Sequence, residues 1–174
     1  MATLTRVFEF DAAHRVMHEK IKCFNLHGHR FKVEVTFEYY STGSLGYAID
    51  FKELKRIAGD WIDNNLDHAA ILNPMDKAFI DLNKNYGLRT YIMGMGIYGD
   101  INPSAENIAE ELLFTLRTLF IKHPVKVVKV RLYETPNCWV DVDNTTITPS
   151  EEVMEKLFAL RKEYGIMNYD ERNQ

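Results

Sequence analysis

The chain has 174 residues, of which 46% are hydrophobic and 26% charged, with a formal net charge of −4 and a pI near 5.9. This suits one globular domain, residues 1–174, with a core of useful size, and excludes a disordered chain. The acidic balance argues against a general nucleic-acid binder, and no apolar run approaches the roughly 20 residues of a membrane span.

Residues 4–14 read as a strand with Leu4, Arg6, Phe8 and Phe10 on one face, and 15–27 as a loop. Residues 29–40 give the clearest period-two pattern, in which Phe31, Val33, Val35 and Phe37 alternate with Lys32, Glu34, Thr36 and Glu38. The turn cluster STGSLG follows. Asp50 then opens a helix over about 51–66, carrying Phe51, Leu54, Ala58, Trp61 and Ile62. LDHAAILNP reads as a loop, 75–86 as a short amphipathic helix, and the Gly-rich 87–103 as irregular. A second long helix starts after Pro103, with Ser104 as N-cap, Glu106 in its first turn and a stripe from Ile108 to Phe120. Residues 125–134 and 138–142 are two further strands, and a last helix spans about 150–164. The expected fold is α+β: an antiparallel four-stranded sheet with two helices on one face, plus the C-terminal helix.

The chemistry-bearing residues concentrate early in the chain. KCFNLHGHR places Cys23 ahead of His27 and His29, in a chain with six histidines and two cysteines. Alternate strand residues point the same way, so His27 and His29 face one point, and His14 ends the strand that would pair beside them. Three neutral imidazoles with a vacant position describe a catalytic zinc better than a structural one. A His-x-His pair alone also occurs as ordinary core or surface histidines. Cys23 reads either as a small buried hydrophobe or as a thiolate activated by a nearby cation. Cys138, in NCWV, reads as packing. With no basic-then-apolar leader in MATLTRVFEF, both thiols are expected free in a reducing cytoplasm. Asp67 beside His68 can support proton transfer, or can be a helix-end cation with a solvated carboxylate. Glu134 ends a strand, where it can clamp a planar heterocycle or remain a surface charge. Arg15, Lys20, Lys22 and Arg30 read as solvated charges.

The order of these signals is more specific than any one of them. FDAAHR, a cysteine three residues short of HGH, then IDF, LDH, PSAEN and YET together resemble the 6-pyruvoyltetrahydropterin synthase family. The three-residue gap between Cys23 and His27 is like that of its carboxy-forming members, which serve queuosine and 7-deazaguanine biosynthesis. The pyruvoyl-forming branch and an inactive pterin-binding protein on the same scaffold are the alternatives. The resemblance implies a tunnelling (T-fold) architecture, assembled as a homohexamer of two trimers with active sites at subunit boundaries. It implies Zn2+ on His14, His27 and His29, Cys23 as general base, Asp67 and His68 as proton relay, and Glu134 as pterin anchor. The implied substrate is 7,8-dihydroneopterin triphosphate. The stretch near 75–100 and the region 149–174 stand out as an insertion and an extension.

Overall fold

The period-two pattern at the N-terminus builds the centre of the sheet. In the computed structural model, which describes residues 1–94 and 101–143, β1 (Ala2–His14) pairs antiparallel with β2 (His27–Tyr39) from Ala2↔Tyr39 to His14↔His27. Phe31, Val33, Val35 and Phe37 are all fully buried on one face of β2, and Phe31 stacks on Phe10 of β1 with ring centroids 5.1 Å apart. Burying each such side chain contributes about 1.5–3 kcal/mol. The pattern therefore fixes the register, because a one-residue slip would turn the whole set to solvent.

Helices cover the apolar face. The helix expected over 51–66 is realised as α1 (Phe51–Leu54), a π-helical stretch (Lys55–Gly59) and α2 (Asp60–Asn65). Asp50 caps it, its carboxylate accepting from the Lys52 N–H at 2.8 Å. Leu54, Ile57, Ala58, Trp61 and Ile62 point inward. After Pro103, α4 (Ala105–Leu119) begins at Ser104, whose Oγ accepts from the Asn107 N–H, and buries Ile108, Leu112, Leu113 and Leu116. β5 (Lys126–Thr135) and β6 (Cys138–Asp143) form the expected C-terminal hairpin, β5 lying against β2.

The sheet is larger than the four antiparallel strands expected. It has six, in the order β4-β3-β1-β2-β5-β6. β3 (Ala69–Leu72) lies parallel to the end of β1, and β4 (Thr90–Ile92) parallel to β3. Both fall in stretches read as loop or irregular. Strands of a parallel ladder are buried on both faces and show no alternation, so AAIL and TYI carry no period-two signal. The crossover between them is α3 (Lys77–Tyr86), which matches the short amphipathic helix expected there; Gly87 ends it at φ 65°, a left-handed cap. Residues 95–100 of the expected insertion and the helix expected over 150–164 lie outside the described residues. Among the described residues, no helix is long and apolar enough to cross a membrane.

Cys138 departs from its expected role. Cys138 does not pack in the core: it is exposed on β6, which closes one edge of the sheet. Its neighbours in NCWV suggested a buried strand, but an edge strand with an exposed, exposed, half-buried pattern leaves it outside. Cys23 is exposed too, and both thiols are free.

Candidate active site

Strand pairing brings the three histidines together. His14 is the last residue of β1 and His27, opposite it, the first of β2; His29 lies opposite Ala12. The pleat sends all three imidazoles to the core-facing side. Their candidate ligand nitrogens all lie within 4.8 Å of one another. The ring centroids are 4.5 Å apart for His14 and His27, 5.2 Å for His14 and His29, and 5.0 Å for His27 and His29.

Two backbone carbonyls set the tautomers. His14 Nδ1 donates to the Pro103 carbonyl at 2.7 Å, and His27 Nδ1 donates to the Asn25 carbonyl at 2.8 Å. A carbonyl oxygen can only accept, so each Nδ1 carries a proton, and in the neutral ring the lone pair is left on Nε2. His14 is fully buried, and burial pushes its imidazole below the ordinary pKa, keeping it neutral. Its Nε2 is buried without a hydrogen-bond partner. An orphaned buried lone pair is costly in a finished structure and natural in a metal ligand. A buried neutral imidazole whose Nδ1 is held by a backbone carbonyl suits a three-histidine zinc site. Glu134, at the end of β5, brings Oε1 to 3.5 Å from His14 Nε2.

Cys23 lies on the loop that joins the two histidine-bearing strands. Its carbonyl accepts from the Val16 N–H at 2.8 Å, which folds the loop back onto the end of β1. The Glu19 carboxylate organises the tip, accepting from the N–H groups of Ile21 and Phe24.

Asp67 and His68 form a second, separate group. Asp67 Oδ2 accepts from His68 Nδ1 at 2.7 Å. The Asp11 backbone holds both residues, its N–H donating to Asp67 Oδ1 at 2.8 Å and its carbonyl accepting from the His68 N–H at 2.6 Å. Partial burial alone would raise the Asp67 carboxyl, but the Asp11 N–H and the His68 ring outweigh it and hold the pKa below the ordinary carboxylate value. His68 takes a left-handed backbone at φ 56°, unusual for a residue other than glycine. Its side chain is 76% exposed and borders an open pocket of about 620 Å³, lined also by Asp11, Gly28, Arg30 and Arg89. His29 of the cluster lines the same pocket. Among the described residues, no hydrogen bond or ion pair joins Asp67 or His68 to Cys23 or to the three histidines.

Two supporting residues escaped the sequence. Arg15, read as a solvated charge, is buried against Asp76 with only 12% of its side chain exposed. Asn102 clamps the Cys23 loop: its Oδ1 accepts from the Met17 N–H at 2.8 Å and its Nδ2 donates to the Met17 carbonyl at 3.0 Å. The position just before PSAEN was the available signal for Asn102, since a motif that caps a helix and supplies the Pro103 carbonyl needs a fixed approach.

Residues 3–145 match the family model described as 6-pyruvoyl tetrahydropterin synthase. The chain belongs to this family. Membership in the 6-pyruvoyl tetrahydropterin synthase family makes it an enzyme of lyase type. It is 41% identical over 144 residues to a 6-carboxy-5,6,7,8-tetrahydropterin synthase of Rickettsia conorii, covering 82% of this chain and 100% of that one. A 6-pyruvoyl tetrahydrobiopterin synthase of Pongo abelii is 28% identical over 149 residues, covering 78% and 87%. Among solved structures, an uncharacterized protein of Wolinella succinogenes superposes with a TM-score of 0.68 at 24% identity, covering 82% of this chain and 98% of that one. The Caenorhabditis elegans 6-pyruvoyl tetrahydropterin synthase gives 0.59 at 23% identity, covering 82% and 95%. These likenesses establish the T-fold.

Proposed function

We propose that this chain is a zinc-dependent 6-carboxy-5,6,7,8-tetrahydropterin synthase. It would convert 7,8-dihydroneopterin triphosphate to 6-carboxytetrahydropterin, acetaldehyde and triphosphate, as a step of queuosine and 7-deazaguanine biosynthesis. The observation that carries this reading is the histidine cluster with its orphaned His14 Nε2, in a chain 41% identical to a carboxy-forming relative along that relative's full length. His14, His27 and His29 would hold the zinc, which when bound supplies Lewis-acid polarisation of substrate oxygens.

The remaining roles belong to this chain's own residues. Glu134, at the mouth of the cluster, accepts N–H bonds from the pterin ring and fixes its orientation. Cys23 takes a proton from the substrate side chain as a thiolate. His68 exchanges protons through Nε2, because Nδ1 is committed to the Asp67 carboxylate. That carboxylate stabilises the charged imidazole as it forms.

His68 serves the site of a neighbouring subunit, in a homohexamer of two trimers. Its exposure, and the lack among the described residues of any bond between it and Cys23 within one chain, support this reading. The deciding experiment is product identification with zinc-loaded protein and dihydroneopterin triphosphate. Acetaldehyde released in proportion to substrate consumed is the expected result. A pyruvoyl-pterin product without acetaldehyde overturns the assignment.

A further inference from the structure

Arg15 occupies an unusual place for a cation. It follows His14 directly, and its guanidinium carbon lies 4.4 Å from the centre of the Phe24 ring and 4.6 Å from that of Phe79. Its Nε meets Asp76 Oδ2 at 2.9 Å, with 5% of the Asp76 side chain exposed. The contact is ionic, without the alignment of a hydrogen bond. Asp76 stands at the N-cap of α3, yet its side chain makes no capping bond there. The carboxylate is given to Arg15 instead. Asp76 and Phe79 are three apart, so one end of α3 presents both to the same guanidinium. Phe24, the other ring against this guanidinium, is the residue after Cys23.

Buried ion pairs are poor stabilisers: apolar replacements of similar volume are often neutral or better. A planar cation held between two rings does something apolar packing does not, which is to fix orientation. The Cys23 backbone is thereby held from two sides, by the Val16 N–H on its own carbonyl and by the stacked ring of its neighbour.

We infer that Arg15 is a positioning residue, and that α3 is a brace that holds the Cys23 loop through the Phe24–Arg15–Phe79 stack and Asp76. The inference rests on Cys23 having the role given above. One arm of its test needs no substrate, so the two can fail separately. Phe79→Leu keeps an apolar side chain and removes the ring. The double variant Arg15→Met with Asp76→Asn removes both buried charges together and should retain the wild-type melting temperature.

In both variants, amide hydrogen exchange over residues 16–26 should accelerate by about tenfold, while that of 27–39 stays unchanged. On dihydroneopterin triphosphate, kcat should fall by about tenfold with KM within about twofold and zinc content unaltered. Unchanged exchange over 16–26 overturns the brace even if the protein proves to have another substrate. Recovery of wild-type kcat in the double variant reduces Arg15 to a structural residue and also overturns it. A double variant that fails to fold leaves Phe79→Leu to decide.

Discussion

The histidine cluster and the Asp67–His68 pair are both built on the end of β1, yet they differ in almost every physical respect. The cluster faces the core, with His14 fully buried and two rings pinned by carbonyls from Pro103 and Asn25. The pair is held by the Asp11 backbone, and its imidazole is largely in solvent. One group is complete within a single chain. The other, in the proposed assembly, would serve the site of a neighbouring subunit. Residues three positions apart on the same strand thus hold the two groups, His14 through its side chain and Asp11 through its backbone N–H and carbonyl.

The largest effect expected is on the cluster alone. His29→Ala should abolish both zinc retention and activity, measured by metal analysis and product formation, since two histidines do not make a closed set of ligands. His68→Ala should instead keep full zinc content while losing most activity. Metal loss in His68→Ala would break the separation. The next test is sharper. Cys23→Ala and His68→Ala subunits, unfolded or dissociated and reassembled together, should regain activity that neither has alone. Reassembled mixtures that stay inactive would place both residues in one subunit's site.

The same contrast explains what the sequence made legible. His27 and His29 flank a glycine at the start of a strictly alternating strand, so their common direction followed from period two, and His14 followed from the pairing. The stripe on α4 and its Ser104 cap were equally plain. β3 and β4 were not, because short parallel strands without alternation look like any other mostly apolar segment. Their absence from the expected sheet hid what AAIL does: it docks beside Ala12–His14 and so brings His68 against the Asp11 backbone. The left-handed backbone of His68 has no sequence signature, and neither does the burial of Arg15, which depends on Phe24 and Phe79 converging from separate elements. Cys138 misled in the other direction, since apolar neighbours do not tell an edge strand from an inner one.

Asp67→Asn probes the pair without removing it. The amide can still accept the Asp11 N–H, so the local backbone should persist, but it cannot stabilise a charged His68. Activity should fall by about 10²-fold or more, the scale of an acid–base contribution, with zinc content unchanged. A kcat within about twofold of wild type would make the pair a structural latch rather than a relay.

The smallest expected effect concerns acid stability. Asp67 is more acidic in the folded chain than in the unfolded one, chiefly because the Asp11 N–H and the His68 ring outweigh the cost of partial burial. A carboxyl of depressed pKa contributes stability that is present above its unfolded value of about 3.8 and disappears as pH falls through its lower folded value. Wild type should therefore exceed Asp67→Asn in melting temperature at neutral pH, and the gap should close in acid below the ordinary carboxylate range. Metal-free protein is the right material, because it removes the competing loss of zinc from the histidines. A gap that widens in acid would mean that the carboxylate is destabilised where it sits. The inference that Asp11 and His68 together hold an ionised Asp67 would then fall, and with it the fixed tautomer of His68.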